Sequence, residues 1–151
     1  MKLGVDVGLQ GAIAILNDDL SLEDVFDMPI MPLKKGKNQV NASALATILR
    51  IDKQPAIAYV EAVSAMPNQG VSSMFSFGTS YGIVQGVLAA LGIPIVLITP
   101  QSWKKKAGLL GKDKQMARTL AQRLYPNADL SRKKDIGRAD AILIARYGCD
   151  K

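Results

Sequence analysis

Three carboxylates stand in settings that a surface acid does not need. Asp6 interrupts the apolar, glycine-rich stretch KLGVDVGLQGAIAIL, Glu61 closes the strand-like AIAYVEA, and Asp140 lies within GRADAILIARY. Asp6 shares its strand face with Gly4 and Gly8, positions where another backbone or a ligand can come close. Glu61 shares a face with Ile57 and Tyr59 at the C-terminal end of its strand. At helical spacing Ile136, Asp140, Leu143, Ile144 and Tyr147 form one stripe, so Asp140 takes a position that belongs to a core residue. Singly, each acid reads as a buried carboxylate paired with Lys or Arg. Together they read differently, because clustered like charges repel by roughly 4 kcal/mol per pair at about 4 Å with an effective dielectric of about 20. A divalent cation removes that repulsion. Two magnesium ions per site, or manganese in their place, held by Asp6, Glu61 and Asp140, would activate a water and stabilise the leaving oxygen of a phosphodiester. Other metal chemistry is excluded by composition: the 151 residues include no histidine, and the one cysteine is Cys149. No disulfide framework, thiolate zinc site or imidazole base can be built, and oxygen ligands favour magnesium, manganese or calcium.

Charge is uneven along the chain. Residues 1–75 carry 6 Lys and Arg against 8 Asp and Glu, whereas residues 76–151 carry 13 against 5. The excess is concentrated in SWKKKAGLLGKDK (102–114) and SRKKDIGR (131–138), which bracket the approach to Asp140. Short basic clusters of this kind contact phosphates, which makes Lys104, Lys105, Lys106, Lys112, Lys114, Arg132, Lys133, Lys134 and Arg138 candidate phosphate contacts; a solvated surface is the alternative. Trp103 either anchors its lysines against phosphate or is buried. Phe75 and Phe77 either fill a core or stack on opened bases.

The elements that must position these residues follow from pattern and punctuation. KLGVDV, GAIAILN and LEDVFDMP read as three strands in an antiparallel meander, followed by a flexible loop at MPLKKGKNQ, residues 31–39. A helix capped by Asn41 or Ser43 leads into the strand AIAYVEA, and a long helix spans Ser72 to Leu91 ahead of the strand IPIVLI. Thr99 and Pro100 start a helix; others span Lys114 to Leu124, stopped by Pro126, and Ile136 to Tyr147, stopped by Gly148. Gly78, Gly82 and Gly86 give the long helix a smooth groove for the sheet or for a second copy of itself. The apolar run from Tyr81 to Ile98 is cut by Gly92 and Pro94 into pieces too short to span a bilayer, and the N-terminus lacks the order of a secretory signal. A single cytoplasmic domain is expected. Its element order is that of the ribonuclease H-like α/β fold: a mixed five-stranded sheet, three antiparallel strands then two parallel, flanked by helices.

GVDVGLQGAIAIL, YVEAV, TPQSWKKKAGLLGKDKQMARTLAQRLYP and KKDIGRADAILIARYG together resemble the RuvC-type Holliday junction resolvases, in the branch with bacterial, phage and chloroplast members. The resemblance runs over nearly the whole chain in order. It implies a homodimeric, magnesium-dependent endonuclease that cuts four-way DNA junctions by paired symmetric nicks, in the cytoplasm of a bacterium or of a phage's host. It implies no membrane and no nucleotide cofactor. By motif position Asp6, Glu61 and Asp140 correspond to three of the family's metal ligands. The fourth departs: the family places an acid or histidine three or four residues before the last carboxylate, where this chain has Gly137 and Ile136. Asp135 stands one step earlier, either reaching the site from the helix N-terminus or capping that helix. Catalysis is weakened or lost if nothing replaces the fourth ligand. DVGLQGAIAIL also resembles the phosphate loop of actin-type and sugar-kinase ATPases, but those need two such domains, and this chain has one such loop. The related resolvase-like family linked to ribosomal RNA processing shares the fold and usually lacks the tryptophan-lysine segment.

Overall fold

The computed structural model describes residues 1–149. In chain order these form β1 (Lys2–Asp6), β2 (Ala12–Leu16), β3 (Leu22–Asp27), β4 (Ile30–Pro32), β5 (Asn38–Val40), α1 (Ala42–Leu49), β6 (Ile57–Glu61), α2 (Val71–Ala90), β7 (Ile95–Ile98), α3 (Pro100–Lys106), α4 (Lys114–Leu124) and α5 (Ile136–Tyr147). Five strands make one sheet in the order β3-β2-β1-β6-β7. The β1–β2 and β2–β3 pairs are antiparallel, while β6 runs parallel to β1 and β7 parallel to β6. This is the mixed sheet expected from the element order.

The alternation within the strands sorts side chains to two faces. Leu3, Val5, Ile13, Ile15, Ala58 and Val60 join Leu45 and Leu49 of α1 and Val84 and Leu88 of α2 in one core. Ala12, Ala14, Leu16 and Tyr59 join Trp103, the α4 residues Ala117 and Ala121, and much of α5 in the other. On this second face the strands present small residues, and the consequence is close packing. A Cβ on Gly4 would collide with the carbonyl of Ala141 and the amide of Ala145, so the α5 backbone rests directly on β1. Helix α5 is therefore enclosed more widely than one apolar stripe implies: Gly137, Ala139 and every residue from Ala141 to Ala145 are buried, while Asp140 and Ile136 reach the edge.

The helix starts are built as their sequences suggest. The side chains of Asn41, Thr99 and Asp113 accept bonds from the amides of Ala44 (3.1 Å), Ser102 (3.2 Å) and Met116 (3.1 Å), each satisfying a donor that the first turn leaves free. Residues 31–39 are not the flexible loop expected. Ile30 pairs with Val40, Met31 with Gln39 and Pro32 with Asn38, and the hairpin closes through a turn at Lys34–Gly36, where Lys35 and Gly36 have φ of 62° and 70°. The strands are too short to show an alternation in sequence, so the pairing is set by the turn rather than by pattern. No helix among the described residues is long and apolar enough to cross a membrane.

Candidate active site

Asp6 is the last residue of β1 and Glu61 the last of β6. Because these neighbouring strands are parallel, both acids emerge at the same edge of the sheet and on the same face. The close seat of α5 on Gly4 brings Asp140 to that edge, and a second glycine keeps it there: a Cβ on Gly137 would strike the carbonyl of Gln10, in the turn that follows β1. That turn also supplies the amide of Gly8, which donates to Asp6 Oδ1 at 3.3 Å.

The electrostatics show that the acids sense one another. Burial, then the charge of Glu61, raises the Asp6 carboxyl to about 6. Burial, then Asp6 and Glu61, raises Asp140 to about 7. Lys104 and Lys114 act against both shifts, which places two cations beside the acids. Asp6 and Asp140 face a cleft of about 240 Å³ that Lys114, Lys133 and Lys134 also line.

Glu61 is held differently. Its Oε2 accepts a hydrogen bond from Trp103 Nε1 at 2.8 Å. Trp103 is fully buried, and Lys104 Nζ lies 5.4 Å from the centre of its ring. The tryptophan therefore packs beneath the site and orients an acid, so it offers no face to a phosphate or base. Sequence reasoning missed this role, since a tryptophan ahead of three lysines has the same local signature whether it points in or out. Among the described residues no three acid, cysteine or histidine side chains are gathered tightly enough to enclose a cation by themselves. The chemistry of the donor set nevertheless fits a hard divalent ion. Asp6 and Asp140 are half-buried carboxylates whose proton affinity is raised first by burial and then by the neighbouring acids, a repulsion that a cation would relieve.

Asp135 is not part of this group. Its side chain is wholly buried and accepts from the backbone amide of Arg132 (2.6 Å) and from Arg132 Nε (2.9 Å), with Arg138 Nε at 3.7 Å. Burial pushes its carboxyl up, but the bonds from Arg132 outweigh that and hold it below the usual range. Nor does it bond to the amides of α5; it closes the preceding turn, Lys133–Asp135. The reason is the pair of arginines on either side of it, which meet Asp27 as well. Arg132 Nη2 and Arg138 Nε lie 2.9 and 2.7 Å from Asp27 Oδ1, and Lys134 Nζ lies 3.3 Å from Asp27 Oδ2.

The expected DNA contacts are thus divided by their surroundings. Arg132, Lys134 and Arg138 are committed to ion pairs that pin the start of α5 to the end of β3. Lys106 Nζ donates to the carbonyl of Cys149 at 2.6 Å. Lys105, Lys112, Lys114 and Lys133 are exposed, and Lys104 is half-buried. Phe75 is 78% exposed near the start of α2, whereas Phe77 is half-buried against the first core.

Comparison with known proteins agrees with this architecture. Over 92 residues, 59% of this chain, the sequence is 35% identical to the chloroplast Holliday junction resolvase MOC1 of Chlamydomonas reinhardtii. The chain spans only 10% of the length of that relative. No family model matches. The fold is that of the RuvC structures of Thermus thermophilus. One matches with a TM-score of 0.60 and 16% identity over 95% of this chain and 90% of the other. A second, solved with Holliday junction substrate, matches with a TM-score of 0.65 and 16% identity over 95% and 89%. The yeast mitochondrial Holliday junction resolvase Ydc2 matches with a TM-score of 0.52 and 19% identity over 95% and 75%.

Proposed function

We propose that this chain is a RuvC-type endonuclease that resolves four-way DNA junctions by metal-dependent phosphodiester hydrolysis, working as a homodimer that makes paired symmetric nicks. The observation that carries this reading is the convergence of Asp6, Glu61 and Asp140 at one edge of the sheet, beside Lys104 and Lys114, in a chain similar to a Holliday junction resolvase. Asp6 and Asp140 would hold the divalent cation, magnesium or manganese, with Glu61 as the third ligand and two ions per site. When bound, such ions supply an activated water and charge stabilisation at the scissile phosphate. The chain's own residues do the rest. Lys104 and Lys114 draw a phosphate toward the acids and offset their charge, the Gly8 amide orients Asp6, and Trp103 Nε1 orients Glu61. Lys133, which lines the cleft, and the exposed Lys105 and Lys112 contact the flanking backbone.

A second reading, a junction-binding protein with weakened cleavage, draws on one observation. Asp135 is the only acid in the run just before Asp140, and two arginines hold it. Incubation of a labelled four-way junction with magnesium, beside linear duplex and single-stranded controls, separates the two. The endonuclease cuts the junction at symmetric positions, and Asp6→Asn and Asp140→Asn abolish cutting while leaving binding largely intact. A wild-type protein that binds the junction without cutting it supports the second reading; one that neither binds nor cuts overturns both.

A further inference from the structure

The β4–β5 hairpin carries a charge that the site described above does not use. From residue 28 to residue 51 the sequence contains no Asp or Glu, yet the hairpin tip presents Lys34, Lys35 and Lys37, all exposed. Neither Lys34 nor Lys35 makes an ion pair or hydrogen bond among the described residues. The turn that displays them is defined, closed by the amide of Leu33 donating to the carbonyl of Lys37 at 2.7 Å. Lys37 Nζ donates to Ser72 Oγ at 2.6 Å, which ties the hairpin to the first turn of α2. Between hairpin and helix runs a groove of about 410 Å³, lined by Lys37, Asn38, Ser72, Ser73, Ser76 and Leu9 among others, with no acid in its lining. Leu9 belongs to the turn after β1, three residues beyond Asp6, so the groove reaches the turn that follows the strand carrying that acid.

Lysines, hydroxyls and an amide lining an acid-free groove are the donors that grip a sugar-phosphate backbone. The position adds meaning. The hairpin packs on α2, on the face of the sheet that bears α1 and α2, whereas Lys104, Lys114 and Lys133 belong to the face that bears α5. The acids thus lie on the α5 face of the sheet with one set of lysines, and the hairpin carries a second set on the opposite face. We propose that the hairpin and the serine-lined groove hold the backbone of a second DNA arm, so that branched DNA engages both sets while a linear duplex engages one. This rests on the reading of branched DNA as substrate.

The test is binding of the full chain, without divalent cation, to a four-way junction and to a linear duplex of equal length over a salt series. The Lys34→Ala, Lys35→Ala, Lys37→Ala triple variant should bind the junction at least about tenfold more weakly, with the slope of log K against log salt reduced by about 2 to 3. Its duplex affinity should change less than about twofold, since the other set is intact. Arginine at all three positions should restore junction binding, and an unchanged circular dichroism spectrum should show that the fold persists. Wild-type binding to the junction with no loss in the triple variant overturns the inference alone, as does an equal loss for junction and duplex. A wild type with no affinity for branched DNA overturns both the inference and the reading beneath it.

Discussion

Glu61 differs from Asp6 and Asp140 in having a neutral donor fastened to one oxygen. The indole N–H of Trp103 fixes Glu61 Oε2 and leaves Oε1 free, which is how partners behind a metal-binding carboxylate commonly set its orientation. Trp103→Phe keeps the ring and deletes the donor. It should lower divalent-cation affinity or the cleavage rate by about ten- to a hundredfold, with metal-free junction affinity nearly unchanged. Calorimetric magnesium titration beside a cleavage assay checks this, and a wild-type magnesium dependence would leave Trp103 with packing alone. The other two acids bear on stability. In the folded chain Asp6 and Asp140 bind protons up to about pH 6 and 7, against 3.8 in the unfolded chain. Between pH 4 and pH 7 the folded state therefore holds more protons than the unfolded one, and the metal-free protein loses stability as pH rises through that window. The loss between pH 5 and pH 8 should be on the order of 2 kcal/mol after allowance for screening at the cleft. Urea unfolding at both pH values measures it, and Asp140→Asn should flatten the difference.

At the scale of elements, two sets of glycines do opposite things. Gly4 and Gly137 let α5 lie against β1 and the turn after it, and side chains there would meet backbone atoms. Gly78, Gly82 and Gly86 lie along α2 with nothing within 4 Å of where a Cβ would stand. Gly4→Ala should cost about 2 kcal/mol or more, and it should reduce cleavage further by lifting Asp140 away from Asp6. Gly86→Ala should stabilise the isolated chain by up to about 1 kcal/mol, because alanine is the better helix former at an exposed position. Denaturant midpoints for the two variants provide the comparison. This contrast marks what the sequence could and could not disclose. Period-two alternation placed Gly4 on the face of Asp6, and helical spacing placed Asp140 toward the sheet. Yet a glycine every four residues in α2 carries the same signature whether it faces the sheet or solvent. The hairpin was hidden because three-residue strands leave no periodicity. The partners of Asp135 were hidden because Asp27, which shares its arginines, lies 105 residues from Arg132, and no local pattern reports a contact of that span.

For the whole molecule, the exposed glycine row gives the proposed dimer a specific surface. One chain brings one set of acids, and a four-way junction offers two equivalent strands, so paired nicks need two copies about a two-fold axis. Backbones can approach closely along Gly78, Gly82 and Gly86, with the exposed Phe75 at one end of the row. Gly82→Leu should weaken self-association by roughly 1 to 3 kcal/mol through crowding. Sedimentation of wild type and variant, with and without junction DNA, decides it. A wild type that stays monomeric with the junction present removes the dimer, and a variant that remains fully dimeric moves the contact elsewhere.

The bond between Trp103 and Glu61 has one more consequence, and it is optical. The chain contains a single tryptophan, so fluorescence excited in the indole band comes from one ring, wholly buried and bonded to one of the three acids. The protein thus carries its own label at the place where ions are expected to gather. A cation drawn to Glu61 changes the field on the indole N–H, and the emission should shift or dim along a magnesium titration without dye, substrate or turnover. Asp6→Asn should move that titration to higher concentration, and calcium should reproduce it even where no strand is cut. Emission that stays constant to saturation would mean that Glu61 takes no part in holding the ion.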